Sequence, residues 1–267
     1  MKKIILALSV LFTFSIAGSS LAADLEGEIG KLYQCAFPVE DILIKVDGKL
    51  TEIQWQFAPW HSMSHDMVNV ANPFPADDDE DASMEFACFA NSENLYFGAK
   101  VLDDEVVMDS ATWWQDDAIE VYIDGGNEKA AAYDENDIQL GMVADGEGTD
   151  GVNNPPAVQI ADLEGAGFEF VVVETANGWD LEAKIPLEPF GISVANGVKI
   201  GFNIHYNDDD DGADTRESKL NWSENDDNDN SYTNPQKLAE LEFVNANLAI
   251  QPNGKLASTW GIIKLSQ

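Results

Sequence analysis

Apolar and polar residues alternate with a period of two along most of the chain, and helical periodicity is scarce. In "NLYFGAKV", Leu95, Phe97, Ala99 and Val101 share one face. In "GWDLEAKI", Trp179, Leu181, Ala183 and Ile185 do so, with Asp180, Glu182 and Lys184 opposite. The pattern predicts strands at Ile42–Val46, Ser83–Ala90, Leu95–Leu102, Ala118–Asp124, Ile138–Ala144 and Val158–Ala161. Further strands are predicted at Phe168–Glu174, Trp179–Ile185, Lys199–Asn207, Leu238–Val244 and Thr259–Leu265. Turn chemistry separates them: "ANSEN", "DGGNE", "ANG" twice, "DDDDG" and "QPNG". About eleven short strands with one apolar face imply an all-β fold. The expected form is an antiparallel β-sandwich, a jelly-roll-like or immunoglobulin-like two-sheet arrangement. "PLEPFGI" adds no more than a turn of helix.

Two strands carry chemistry on their second face. In "WWQDDAIEVYID", Ile119, Val121 and Ile123 point one way and Glu120 and Tyr122 the other. In "KIGFNIHYND", Ile200, Phe202, Ile204 and Tyr206 share a face, leaving Asn203, His205 and Asn207 outward. Trp113 is expected in the core and Trp114 on the rim beside Glu120. Aromatic planes stack on the C–H faces of pyranose rings while polar side chains take the hydroxyls, so this is a sugar-binding arrangement.

The ends and the charge narrow the picture. "MKKIILALSVLFTFSIAGSSLA" has a basic start, an apolar run and a small-x-small end, the signature of a secretory signal peptide over residues 1–22. A secreted or periplasmic location follows, and no later segment is apolar enough to span a bilayer, so no membrane insertion is expected. Residues 23–41 read as an N-terminal arm and 42–267 as one sandwich domain. With 14 basic and 49 acidic residues the net charge is −35, which repels nucleic acid. Acidic runs at Asp77–Asp81, Asn207–Asp214 and Glu224–Asn230 read as loops. The last two supply oxygens at the density Ca2+ prefers, with Asp208, Asp210 and Asp226 as candidate ligands of a structural ion. Export permits a Cys35–Cys88 disulfide; a free buried thiol is the alternative.

Catalysis finds little support. There is no G-x-S-x-G elbow and no phosphate-binding Gly-rich loop, and no carboxylate pair stands out among the acids. "HSMSHDM" places His61, Met63, His65 and Met67 together, with no third zinc ligand evident nearby. The chain is therefore read as a non-catalytic binding protein.

Seven segments from about Ile42 to Phe243 carry a resemblance: "VDGKLTEIQW", "NLYFGAKVLDDE", "WWQDDAIEVYID", "YDENDIQL", "GWDLEAKIPL", "KIGFNIHYNDDDD" and "SYTNPQKLAELEF". In this order they resemble carbohydrate-binding module family 9, within the wider DOMON-like β-sandwich group. The resemblance implies recognition of polysaccharide chain ends or oligosaccharides of the cellulose and xylan type, clamped between two aromatics. By position these are Trp114 and Tyr232, with Glu120, His205 and Asp229 as further sugar-binding residues. Gly141 stands where the resemblance calls for an arginine. It also implies bound calcium, and a place in polysaccharide degradation beside separately secreted glycoside hydrolases. Two alternatives accompany this reading. One is a DOMON-type b-haem redox protein using the His61–Met67 cluster; the other is a structural sandwich whose sugar site has decayed.

Overall fold

The computed structural model describes residues 27–37, 44–56, 58–67, 76–151, 157–212 and 215–245. The signal peptide at 1–22 and the strand expected at Thr259–Leu265 lie outside them. Among the described residues there are twelve strands, one short α-helix and four single turns of 3-10 helix. In chain order the strands and the α-helix are β1 (Leu32–Phe37), β2 (His61–Met63), β3 (Ala82–Ala90), β4 (Asn94–Asp103), β5 (Ala118–Asp124) and β6 (Asp137–Val143). There follow β7 (Gly148–Asp150), α1 (Ile160–Ala166), β8 (Glu169–Glu174), β9 (Gly178–Pro186), β10 (Lys199–Asp208), β11 (Ser218–Asn221) and β12 (Ala239–Asn245).

The all-β expectation holds, and the connectivity is richer than a purely antiparallel sandwich. The hydrogen-bonded order is β7-β6-β5-β10-β12-β1-β3-β4-β9-β8, with β11 on β10 and β2 on β3. β1 runs parallel to both β12 and β3, so the sheet is mixed. The segment read as an N-terminal arm thus carries the strand that joins the two halves. Its pairing to β3 is confined to Ala36 opposite Phe89. Beyond that point the Tyr33 hydroxyl lies between the strands, accepting the Cys88 N–H at 2.6 Å.

Because strand side chains alternate between faces, the apolar sides of both halves meet in one core. Phe86 of β3 lies 6.2 Å from Phe202 of β10, and Trp179 of β9 lies 6.0 Å edge-on to Tyr206. Trp179 is a core residue, as its pattern suggested, whereas Trp55 is buried in a smaller cluster with Ala36, Phe89 and Tyr96. Cys35 and Cys88, from the adjoining strands, are both buried free thiols.

Two predicted strands are corrected. Residues 158–161 lead into a helix that begins at Ile160, because the Asp162 carboxylate accepts the N–H of the cap residue Gln159 at 3.1 Å and Gly167 ends α1 in the left-handed region. Residues 44–46, from the strand placed at Ile42–Val46, are not extended into the sheet. They lead into a turn whose Asp47 and Gly48 N–H groups bind the buried Glu182 carboxylate at 2.9 and 3.1 Å. The turn of helix in "PLEPFGI" is present at Glu188–Phe190. No described helix is long and apolar enough to cross a membrane.

Candidate functional site

The register of β6, β5, β10 and β11 assembles the site. Glu120 lies opposite His205 on β10 and Gly141 on β6, and Tyr122 opposite Asn203 and Gln139. β11 adds Asn221 beside His205 and Lys219 beside Asn207. All of these side chains project from the face opposite Ile119, Val121, Phe202 and Ile204, which line the core. Two loops then cover that polar face. One is the turn Trp113–Gln115; the other runs from Trp222 to Asn234.

Glu120 is the hub. Its carboxylate accepts from Tyr122 Oη, from Gln139 Nε2 at 2.6 Å and from Asn207 Nδ2 at 2.7 Å. Lys219 Nζ sits 3.2 Å from Glu120 and 3.0 Å from Asp229. Arg216 Nη2 approaches Asp229 at 3.6 Å, while its Nη1 donates to the Trp114 carbonyl at 2.7 Å. His205 Nε2 is 3.2 Å from Asp226, and its Nδ1 is 3.9 Å from Asp229. Burial works to raise the Glu120 pKa, but Lys219, His205 and Arg216 overcome it and hold the carboxyl below the usual carboxylate range. Asp226 is held low in the same way, against burial, by His205, Ser231 and the Asn230 N–H.

The second loop is locked by its own backbone. Asn221 Nδ2 donates to the Ser223 and Asp226 carbonyls at 3.1 and 2.8 Å. The Asp226 carboxylate accepts the Asn230 and Ser231 N–H groups at 2.7 and 3.1 Å, and Tyr133 Oη binds the Ser231 carbonyl at 2.6 Å. These bonds leave Tyr232 43 % exposed at the rim.

Of the five residues expected at a sugar site, the structure links four directly and sets Tyr232 nearby only in sequence. Glu120, His205 and Asp229 meet through Lys219; Trp114 joins them through Arg216; Tyr232 follows Asp229 by three residues. Glu120 and His205, however, are fully buried, because Lys219 and the 222–234 loop close over them. Trp113 is not in the core between the layers. It lies half-buried over the polar face, and a Cβ on Gly141 would meet its ring at 2.5 Å. The indole therefore fills the place where an arginine was expected, and Arg216 and Lys219 supply cations from the β11 side instead. Those two were missed because "RESKLN" is a short polar run; only the Lys219/Asn221 alternation against Leu220 and Trp222 betrays a strand.

The fold and this polar face can be set beside known proteins. The family profile described as "Carbohydrate family 9 binding domain-like" matches residues 46–246, three quarters of the chain. The chain belongs to this family. Its matched region is a binding module rather than a catalytic domain. Endo-1,4-beta-xylanase A of Thermotoga maritima is 28 % identical over 166 residues, covering 62 % of this chain and 14 % of that enzyme. Endo-1,4-beta-xylanase C of Paenibacillus barcinonensis is 31 % identical over 147 residues, 55 % of this chain and 12 % of the enzyme. The chain thus spans about one seventh of the xylanase A it matches. Two structures of a family 9 carbohydrate-binding module from Caldicellulosiruptor kristjanssonii share the fold. The complex with cellotriose has a TM-score of 0.66 at 20 % identity, covering 83 % of this chain and 98 % of that one. The complex with glucose has a TM-score of 0.64 at the same identity, covering 83 % and 100 %.

Family 9 resemblance also implied calcium, and part of the acidic surface fits a hard divalent cation. Carboxylate oxygens of Asp103, Asp208 and Asp210 lie within 4.8 Å of one another, as do those of Asp81, Asp104 and Asp210. Asp208 is buried, and one oxygen each of Asp208 and Asp210 has no hydrogen-bond partner. Burial pushes Asp208 up to about 8 and Asp210 up to about 7, so each carboxylate lacks a counter-charge that a cation would provide. Asp226 does not join this set; its two oxygens accept the Asn230 and Ser231 N–H groups within the 222–234 loop.

The His61–Met67 cluster does not fit a haem. His61 is buried on β2 against Tyr33, Phe86 and Trp222, with ring centroids 4.9, 5.7 and 5.7 Å away. Met63 is also in the core, whereas His65 is partly exposed and pairs with Asp79 at 2.7 Å. The cluster is divided between interior and surface.

Proposed function

We propose that this family 9 domain binds the ends of β-linked glucan or xylan chains, or their oligosaccharides, at the rim between Trp114 and Tyr232. The observation that carries the reading is the charged network Glu120–Lys219–Asp229–Arg216 on the polar face of β5, β10 and β11, joined to the partly exposed Trp114 through its carbonyl and three residues from the exposed Tyr232. Trp114 and Tyr232 supply planes for a pyranose ring. Arg216 and Asp229, which are partly exposed, offer a donor and an acceptor to sugar hydroxyls. Lys219 has a third N–H beyond those directed at Glu120 and Asp229. Glu120 and His205, being buried, hold Lys219 and Asp229 in place, so in this account they are positioning residues. A calcium ion at Asp103, Asp208 and Asp210 would brace the ends of β4 and β10. A basic-apolar leader at 1–22 supports export, and export would place the domain beside secreted hydrolases as a non-catalytic partner.

The test is depletion binding to insoluble cellulose and xylan, with Trp114→Ala and Tyr232→Ala alongside the native chain. Retention of the native chain, reversed by free oligosaccharide and lost in both variants, is the expected result. Equal retention of all three proteins would refute the aromatic clamp. Absence of retention on either polymer would leave the structural-sandwich alternative.

A further inference from the structure

β8 leaves one edge of the sheet open. β7 and β8 end the hydrogen-bonded order, and β8 is the longer, with six residues against three. It pairs only with β9, in six consecutive pairs from Glu169 opposite Lys184 to Glu174 opposite Trp179. The outer row of its N–H and C=O groups therefore has no strand partner among the described residues. Between its terminal glutamates the run "EFVVVE" is wholly apolar, with no lysine, proline or bulge to discourage pairing. Phe170 and Val172 pack against the core, while the turn at Gly48 lies against Val171 and Val173 on the other face.

The same edge borders a cavity of about 880 Å³. Five large apolar side chains are exposed among the described residues, and three of them, Leu102, Val106 and Met108, line it beside Val172 and Trp179. Such clustering marks a surface built to be covered. Every charged residue of the lining is acidic: Glu80, Asp103, Asp104 and Glu174. A second copy of the chain fits poorly, because an antiparallel β8–β8 pair would set Glu169 against Glu174 between chains that each carry −35. The edge and the cavity call for an apolar strand bearing positive charge.

The chain itself carries such a segment. No acidic residue follows Glu242, whereas Lys255 and Lys264 do, and residues 259–265, "TWGIIKL", are those read above as a strand. Asn245, the last described residue, is level with the start of β8. Phe37 lies opposite Asn245, and from neighbouring Ala36 the register runs through Phe89, Tyr96 and Lys184 to Glu169. Those five strand spacings amount to about 24 Å, and residues 246–258 can span about 43 Å when extended. A run parallel to β8 that starts beside Glu169 sets Trp260 beside Phe170, Ile262 beside Val172 and Lys264 beside Glu174.

We propose that residues 259–265 add to β8 as a parallel edge strand in this register, so that the chain covers its own open edge and the neighbouring cavity. Main-chain hydrogen bonds along the edge hold the segment, while Trp260 and Ile262 meet the apolar side of the groove and Lys264 its acids. Sugar binding plays no part in this contact.

The test is hydrogen exchange read by mass spectrometry on the full chain. Ile262→Asp, Lys264→Glu, Glu174→Lys and the double variant Glu174→Lys/Lys264→Glu are compared with the native protein. In the native chain, amides of residues 259–265 should exchange at least about tenfold more slowly than in an unstructured peptide. Ile262→Asp should remove that protection and lower the protection of β8 while β10 keeps its own, so loss of docking is separable from loss of fold. Lys264→Glu and Glu174→Lys should each weaken the protection, and combining them should restore it. Free exchange of residues 259–265 in the native chain, or equal protection in native and Ile262→Asp, would overturn the proposal. Protection that grows with protein concentration alongside a dimeric mass would also overturn it, because the segment would then pair with a second copy.

Discussion

Replacing Lys219 by methionine keeps most of the side-chain volume and deletes the charge between Glu120 and Asp229. At 3.2 and 3.0 Å each contact amounts to roughly 5 kcal/mol at an effective dielectric near 20, before desolvation is subtracted. Asp229 is partly exposed and can turn to water, so the loss falls mainly on Glu120, which is fully buried. Stripping one partner from a buried ion pair costs about 3–5 kcal/mol. Glu120 retains its bonds from Tyr122, Gln139 and Asn207, so the expected loss lies at about 3 kcal/mol. Urea unfolding followed by tryptophan fluorescence measures it. The pH dependence supplies a second signature. A carboxyl whose folded pKa is depressed contributes stability that is complete above its unfolded value near 4.5 and fades as pH falls through the folded one. Without Lys219 that contribution shrinks, so the gap between native and variant should be widest at neutral pH and narrow in acid. A loss below about 0.5 kcal/mol at pH 7, or a gap independent of pH, would refute Lys219 as the charge that balances Glu120.

Other perturbations test neighbouring parts of the account. Gly141→Arg should displace the Trp113 ring, costing about 1–3 kcal/mol and bringing no gain in sugar affinity; an unchanged thermal midpoint would contradict the packing. At the other end of β5, Asp137 faces Asp124, and burial, followed by the Asp124 and Asp134 charges, pushes Asp137 up to about 7. A raised folded pKa means that stability falls as pH rises from about 4 through 7, so Asp137→Asn should be more stable by about 1–2 kcal/mol at pH 8 and no different at pH 3.5. Burial raises both Cys35 and Cys88 well above ordinary thiols, so iodoacetamide should label them only once the chain unfolds. Labelling in native buffer would contradict their place in the core.

The parts of the fold legible in the sequence are those where period-two alternation is long. β4, β5, β9 and β10 each bury one apolar face and could be read residue by residue. β1 hid because "LYQCAF" sits between two parallel neighbours and has no polar face to mark its period. β7 and β11 are three and four residues long, too short to show any period. Residues 158–161, with Gln159 between Val158 and Ile160, fit strand or helix equally, and Asp162 and Gly167 decide it. At the site, alternation placed Glu120, His205 and Asn207 on one face. It could not reveal that loop 222–234 buries them, because that depends on bonds such as Asn221 to the Asp226 carbonyl, between residues on separate elements. The acidic runs were read as loops, yet Asp208 is the last residue of β10, and Asp208, Asp209 and Asp226 are all buried.

The most direct test of the sugar site is calorimetric titration of the full chain, in calcium buffer, with cellobiose, xylobiose and laminaribiose, repeated with Trp114→Ala. The account predicts heat with at least one of the three sugars and its disappearance in the variant. Heat that persists unchanged in Trp114→Ala, or none from the folded native chain with any of the three, would contradict it.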